Sequence, residues 1–299
     1  VTPAMADPVS APTSVGRAGP VASGAGGLPP KTVLVLIDGV RYDAIYKIND
    51  WVGLPNIWRI INDGVLWRNI YTFEPFLTNH ITQKILTGHQ NYAQSYTLFQ
   101  RLEYLGFRTA SVGTNPWDGR GARFNVDNLY DKRHNYLSDD VRFDAAVAIL
   151  PKVDFAYLYT VETDEYAHVC RDNKRHIYSW GSPYVWAIKR TDERLGRLRY
   201  HLDQIAPGNF NLICVADHGM TDQGRHSIAL WTTHEVTHVP VFAMGTNFKR
   251  GVKVDQRFYV TDLAHSIINL YDPRVPAHMF NSVIRRGQWQ GRAVTSGAA

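Results

Sequence analysis

From Lys31 onward, short unbroken apolar runs alternate with longer stretches whose apolar residues return every three or four positions. KTVLVLIDG, VLWRNIYTF, RTASVG, VDFAYLYTV, NFNLICVADHG and VPVFAMG have the length and the β-branched and aromatic content of strands. LPNIWRIINDG, FEPFLTNHITQKILTG, SYTLFQRLEYLGF, VRFDAAVAIL, PYVWAIKRTDERLGRLRYHLDQI and VTDLAHSIINLY carry the helical period, several with a Gly stop. Strands this uniformly apolar are buried on both faces, and strand–helix alternation pairs them mostly in parallel. The pattern predicts an α/β fold with a mainly parallel central sheet and helices on both faces. Ligands in such folds gather beyond the carboxyl ends of the strands.

The pattern fails at the two ends. Residues 1–30 are rich in Ala, Gly, Pro, Ser and Val, with Asp7 and Arg17 their only charges. They read as a flexible leader. A basic start followed by an apolar stretch is missing, so they are not an intact signal peptide. Residues 31–290 read as a single α/β domain, and 291–299 as a loose tail. Inside the domain, Thr114 to Tyr136 is the least patterned stretch and a candidate functional loop.

Composition adds little beyond this. The chain is 44% hydrophobic and 20% charged, and no apolar run is long enough for a membrane span. Its net charge of +5 suits an anionic substrate, and no Lys/Arg block marks a nucleic-acid arm. Cys170 and Cys214 read as two core or near-core thiols rather than a disulfide framework.

The chemistry sits where strands should end. Asp38 closes the first strand, where Asp-Gly alone would make an ordinary turn. Asp217 and His218 follow ICVA, and a turn has no use for that His. Asp164 and His168 lie four apart after VDFAYLYTV, on one face if a helix begins there. They could be two ligands of one metal, or a capping Asp with a surface His. His234 precedes the VPVFAMG strand and has rivals in His226 and His238. Together these groups offer nitrogen and oxygen donors without thiolate, enough for two divalent ions, Zn ahead of Mn or Fe. Two ions about 4 Å apart clamp a phosphorus undergoing in-line displacement. Thr78 sits where FEPF gives way to a helical pattern, either as a helix cap or as a reacting hydroxyl.

The order of VLIDGVRYD, the Thr78–Gly88 segment closing in ILTG, RLEYLGFRTASVG, TDEYAH, VADHGM and HEVTHVPVFAMG resembles the alkaline phosphatase superfamily, and within it the type I phosphodiesterase and nucleotide pyrophosphatase branch. The resemblance runs from about Lys31 to about Asp272. It implies an alkaline phosphatase-like three-layer sandwich and a catalytic domain. Thr78, nine residues before Thr87 of Leu-Thr-Gly, takes the family's nucleophile position. Asp38, Asp217, His218 and the Thr78 oxygen would hold one metal. Asp164, His168 and His234 would hold the other, with His226 as the fallback. His234 is preferred because it stands five residues before Val239. Asn79 would bind a phosphoryl oxygen, and Asn91 and Asn115 are substrate-binding candidates by position.

The expected activity is two-metal hydrolysis of small anionic phosphate esters, phosphodiesters or pyrophosphates first, through a phospho-threonine on Thr78. Nucleic acid enters only as a substrate. Phosphomonoester or phosphonate hydrolysis, phosphoryl-group transfer and a non-catalytic phosphate- or metal-binding role are the alternatives. Thr78-Asn79-His80-Ile81-Thr82 does not fit the sulfatase motif, which argues against sulfate esters. The family likeness suggests export to a periplasmic or extracellular compartment.

Overall fold

The computed structural model describes residues 29–93, 95–113, 119–126, 138–226 and 233–285. Its strands are β1 (Lys31–Ile37), β2 (Val65–Tyr71), β3 (Thr109–Val112), β4 (Phe124–Val126), β5 (Phe155–Thr160), β6 (Phe210–Val215), β7 (His238–Gly245), β8 (Val252–Val254) and β9 (Phe258–Tyr259). The helices are α1 (Ala44–Val52), α2 (Pro55–Asn62), α3 (Thr78–Thr87), α4 (Leu98–Tyr104), α5 (Asp139–Ile149), α6 (Glu162–Asp172), α7 (Pro183–Ile205), α8 (His234–Thr237) and α9 (Asp262–Tyr271).

The strands form one sheet in the order β4-β3-β5-β1-β6-β7-β2-β8, with β9 also paired to β2. Every pairing is parallel except those of β7, which runs antiparallel to β6 and β2. From Val33 through Leu36 each residue of β1 is fully buried, so both faces of the sheet are covered. One group of helices packs around α7, namely α1, α2, α5 and α6, while α3 and α4 pack with α9. The fold is the expected α/β sandwich with a mainly parallel central sheet.

The predicted elements recur with shifted ends. SYTLFQRLEYLGF begins its helix only at Leu98, because Thr97 and Gln100 form a capping box there. The candidate loop from Thr114 contains β4, which pairs with β3. Cys170 and Cys214 are both buried and free. Among the described residues no helix is long and apolar enough to cross a membrane.

The central trio decides where the polar residues meet. β5, β1 and β6 are adjacent and parallel, with Leu36 opposite both Tyr159 and Val215. Their carboxyl ends therefore lie side by side, bringing Tyr159 and the start of α6, Asp38, and the Asp217–His218 pair to one edge.

A candidate two-metal centre at the carboxyl ends of β5, β1 and β6

Asp38 follows β1 and is 1% exposed. Gly39 turns the chain away with φ of +71°, and its N–H donates to Asp217 Oδ1 at 3.2 Å. A Cβ at Gly39 would press on Met220 and on the backbone of Asp164. The Asp-Gly turn therefore packs the Asp38, Asp164 and Asp217 segments together. Tyr159 of β5 donates its phenol to Asp38 Oδ2 at 2.6 Å, and the Thr163 hydroxyl bonds the Asp38 carbonyl.

The Asp217 and His218 side chains are fully buried. The His218 N–H donates to Asp217 Oδ1 at 2.8 Å, and His218 Nδ1 lies 3.1 Å from the Gly219 carbonyl. A proton on Nδ1 satisfies that carbonyl and leaves the Nε2 lone pair facing Asp38 Oδ1 and Asp217 Oδ2, each at 3.4 Å. A lone pair and carboxylate oxygens have no attraction for one another; a cation between them would satisfy all three.

Thr78 is the first residue of α3, and the cap position before it is Leu77. The Thr78 hydroxyl thus makes no cap. It points instead at Asp38, 3.2 Å from Oδ2 and 3.4 Å from Oδ1, and lies 3.5 Å from His218 Nε2.

The second cluster stands on α6 and the turn after His218. Asp164 and His168 do begin a helix, and Nδ1 of His168 is 3.5 Å from Asp164 Oδ2. The third member is His226, with Nε2 3.4 Å from Asp164 Oδ1. Its Nδ1 is fixed at 2.6 Å from the Phe76 carbonyl. The His226 ring stacks 3.9 Å from His218 and 5.2 Å from His168, joining the two clusters. Possible ligand atoms thus converge as Asp38, Asp164 and His218, and as Asp164, His168 and His226.

His234 stands elsewhere. It opens the short α8, is exposed, and lies against the Tyr71 and His238 rings. The preference for His234 is therefore corrected on position: α8 runs straight into β7, whereas the turn at Gly224 folds His226 back onto α6. His238, the other rival, bonds the Arg68 carbonyl with Nε2 at 2.6 Å. Asn79 follows Thr78 on α3 and Asn91 is exposed beyond that helix; Asn115 lies outside the described residues.

The electrostatics of the cluster favour bound positive charge. Burial pushes the Asp38 carboxyl well above its ordinary range, and the Asp217 charge adds to this. Burial, then Asp38 and Asp217, raise Asp164 likewise, and burial alone lifts Asp217 to about 6. Burial lowers His226 to about 3 and His168 to about 4, with His218 and Arg171 respectively the next causes. Three buried carboxyls face three histidines held neutral. Asp217 Oδ2 and Asp164 Oδ1 are buried without a hydrogen-bond partner among the described residues. Such orphans are costly unless a cation supplies the missing charge. The donor set of carboxylate oxygens and neutral imidazoles fits divalent metal ions.

The site has the donor set of a metal centre. The profile of the metalloenzyme superfamily matches residues 127–272. No curated protein matches the sequence significantly. Among solved structures, murine ectonucleotide pyrophosphatase/phosphodiesterase 5, an inactive Thr-to-Ala variant in complex with AMP, superposes with a TM-score of 0.61 at 15% identity, over 83% of this chain and 96% of its own. Phosphonate monoester hydrolase from Silicibacter pomeroyi gives 0.62 at 15% identity, over 81% and 73%. A 2-O glycosaminoglycan sulfatase gives 0.61 at 14% identity, over 81% and 70%. The profile covers just under half of the chain, and the solved structures share its alkaline phosphatase-like fold.

Proposed function

We propose that the protein is a metal-dependent hydrolase of phosphate esters, phosphodiesters before monoesters, with Thr78 as its nucleophile. The observation that carries this is the aim of the Thr78 hydroxyl, which leaves its helix uncapped and points at the Asp38 carboxylate and His218 Nε2. The murine diesterase, inactive as a Thr-to-Ala variant, is in keeping with a threonine in this role.

Asp38, Asp217, His218 and Thr78 would hold one divalent ion, and Asp164, His168 and His226 the other, with Zn ahead of Mn or Fe. Bound there, the ions would supply positive charge for the phosphoryl oxygens and lower the pKa values of the attacking hydroxyl and of water. The chain's own part is positioning and proton handling. Asp38 fixes Thr78 Oγ1 at the mouth of the site and faces its proton. Tyr159 donates to Asp38 Oδ2 at 2.6 Å and so directs the carboxylate. Thr78 Oγ1 gives its proton to solvent and attacks phosphorus in line; the new P–O bond forms as the bond to the leaving alkoxide breaks, and that alkoxide takes a proton from solvent. Water then attacks the phospho-threonine, the Thr78 oxygen departs, and the hydroxyl regains a proton. Phosphoryl oxygens sit at the N-terminal end of α3, whose dipole favours negative charge, with Asn79 beside them.

The test compares nitrophenol release from bis-(p-nitrophenyl) phosphate and p-nitrophenyl phosphate by zinc- and manganese-loaded protein, with EDTA-treated protein as control. Faster, metal-dependent cleavage of the diester is expected. Preference for the monoester would move the reading to a phosphatase, and turnover unaffected by EDTA would remove the metal chemistry.

A further inference from the structure

Beside the second histidine cluster, close enough for the Arg171 charge to act on His168 and His226, lies a pocket of about 300 Å³ lined by Arg171, Lys174, Arg175, His176, Gln223 and Arg225. None of these residues is a carboxylate. Two elements build it. One is the end of α6, where Arg171 follows His168 by three positions, so that their Cβ atoms are about 5–6 Å apart. The other is the turn from Thr221 to His226, where Arg225 immediately precedes His226. Gly224 locks the two together. Its φ is +67°, and a Cβ there would lie 2.1 Å from the Ala167 carbonyl oxygen and 3.5 Å from Arg171 Cβ. The walls that present His168 and His226 to the metal centre thus present Arg171 and Arg225 to this pocket.

Some of the pocket's charge is already answered. Arg171 pairs with Asp172 at 2.8 Å, Arg175 donates to the Trp180 carbonyl, and His176 lies 3.3 Å from Asp222. The Lys174 ammonium and the Arg225 guanidinium have no ion pair or hydrogen bond among the described residues, Arg225 bonding only through its backbone. Lys174 also stands in a costly conformation. It closes α6 in a Schellman turn, its N–H bonding the Arg171 carbonyl and the Arg175 N–H bonding that of Cys170. Its φ is +53°, at the position where Gly or Asn is the usual choice. A lysine held there against backbone preference directs attention to a role for its charge.

We propose that this basic pocket is a subsite for a second anionic group of the substrate. The preferred substrates are then phosphodiesters that carry a further phosphate near the bond being cleaved. The inference rests on the hydrolase reading for the reacting phosphoryl group. It adds a substrate class, set by Lys174 and Arg225, neither of which is in the metal ligand set.

The experiment uses thymidine 5′-(p-nitrophenyl phosphate) with and without a 3′-phosphate, on the metal-loaded full chain and on Lys174→Asn/Arg225→Gln. The wild-type protein should prefer the 3′-phosphorylated ester in kcat/KM by about tenfold or more, the scale of one charge-assisted contact. In the double variant the ratio should fall toward one through KM. Asn suits the left-handed turn better than Lys, so Lys174→Asn alone should melt no lower than wild type; lost preference with retained Tm separates charge from folding. A wild-type ratio of one or less, or a preference the variant keeps, overturns the subsite. So does acceleration of the unphosphorylated ester by added inorganic phosphate, which would make the pocket an effector site. If neither ester is cleaved, the hydrolase reading fails by itself. Calorimetry then decides the subsite: thymidine 3′,5′-bisphosphate must bind more tightly than thymidine 5′-phosphate, with the difference lost in the variant, and equal binding overturns it.

Discussion

His226 and His234 show how much one residue's environment decides. Both are histidines near the edge of the site, yet His226 Nε2 meets Asp164 at 3.4 Å while His234 packs on the Tyr71 and His238 rings. His226→Ala should therefore lose about one equivalent of tightly bound metal, and His234→Ala should keep both, as measured by metal analysis after desalting. The reverse pattern would return His234 to the ligand set. Asp38, Asp164, His168, Asp217 and His218 are legible in the sequence as polar residues at the ends of apolar runs, whereas Thr78 is marked out by the family resemblance and not by its local pattern. His226 was not legible as first choice, because its place depends on a turn closed by Gly224 against α6. Tyr159 carries no such signal in the sequence. It shares its strand face with the buried Tyr157, and nothing local shows that only Tyr159 reaches Asp38 at the strand's end.

At the scale of the element, α6 is held by a clamp that the hydrophobic pattern does not contain. Asp139 accepts the Val161 and Glu162 N–H groups at 3.0 Å each, and Glu162 accepts the Asp139 N–H in return. Arg142 pairs with Asp139 at 2.8 Å, and Arg194 of α7 reaches Glu162 and Asp140, both at 2.8 Å. α5, α6 and α7 are thereby tied at the point that sets Asp164 and His168. Asp139→Ala strips the first turn of α6 of its acceptor and leaves Arg142 buried without this partner. It should cost roughly 3–5 kcal/mol, as breaking a buried pair does, and weaken metal at Asp164 and His168 more than at Asp38 and Asp217. Urea denaturation and metal titration would check both effects; an unchanged midpoint would mean that packing alone holds α6. Strand and helix positions were readable because burial has a period. This clamp was not, since its partners come from three separate elements.

Across the whole molecule, the fold brings three buried carboxyls together at the ends of β5, β1 and β6. Without cations their ionised forms repel one another, so bound metals would contribute to folding as well as to chemistry. Removing them with EDTA should cost roughly 3–4 kcal/mol per ion when each is supplied at 100–1,000 times its Kd. Calorimetry should then show a fall in Tm of several degrees that is restored by zinc. A Tm indifferent to metal would mean that the protonated carboxyls are stable alone.

The central claim is that Thr78 performs the chemistry beside metals held chiefly by the carboxylates and imidazoles, so that losing its hydroxyl leaves them bound. The most direct measurement is the turnover of bis-(p-nitrophenyl) phosphate by Thr78→Ala beside the wild-type protein, with metal content determined on the same samples. The account predicts that the variant retains its metal and loses at least about a thousandfold in kcat/KM, as expected when a covalent nucleophile is removed. A variant with full metal and near wild-type turnover would contradict it.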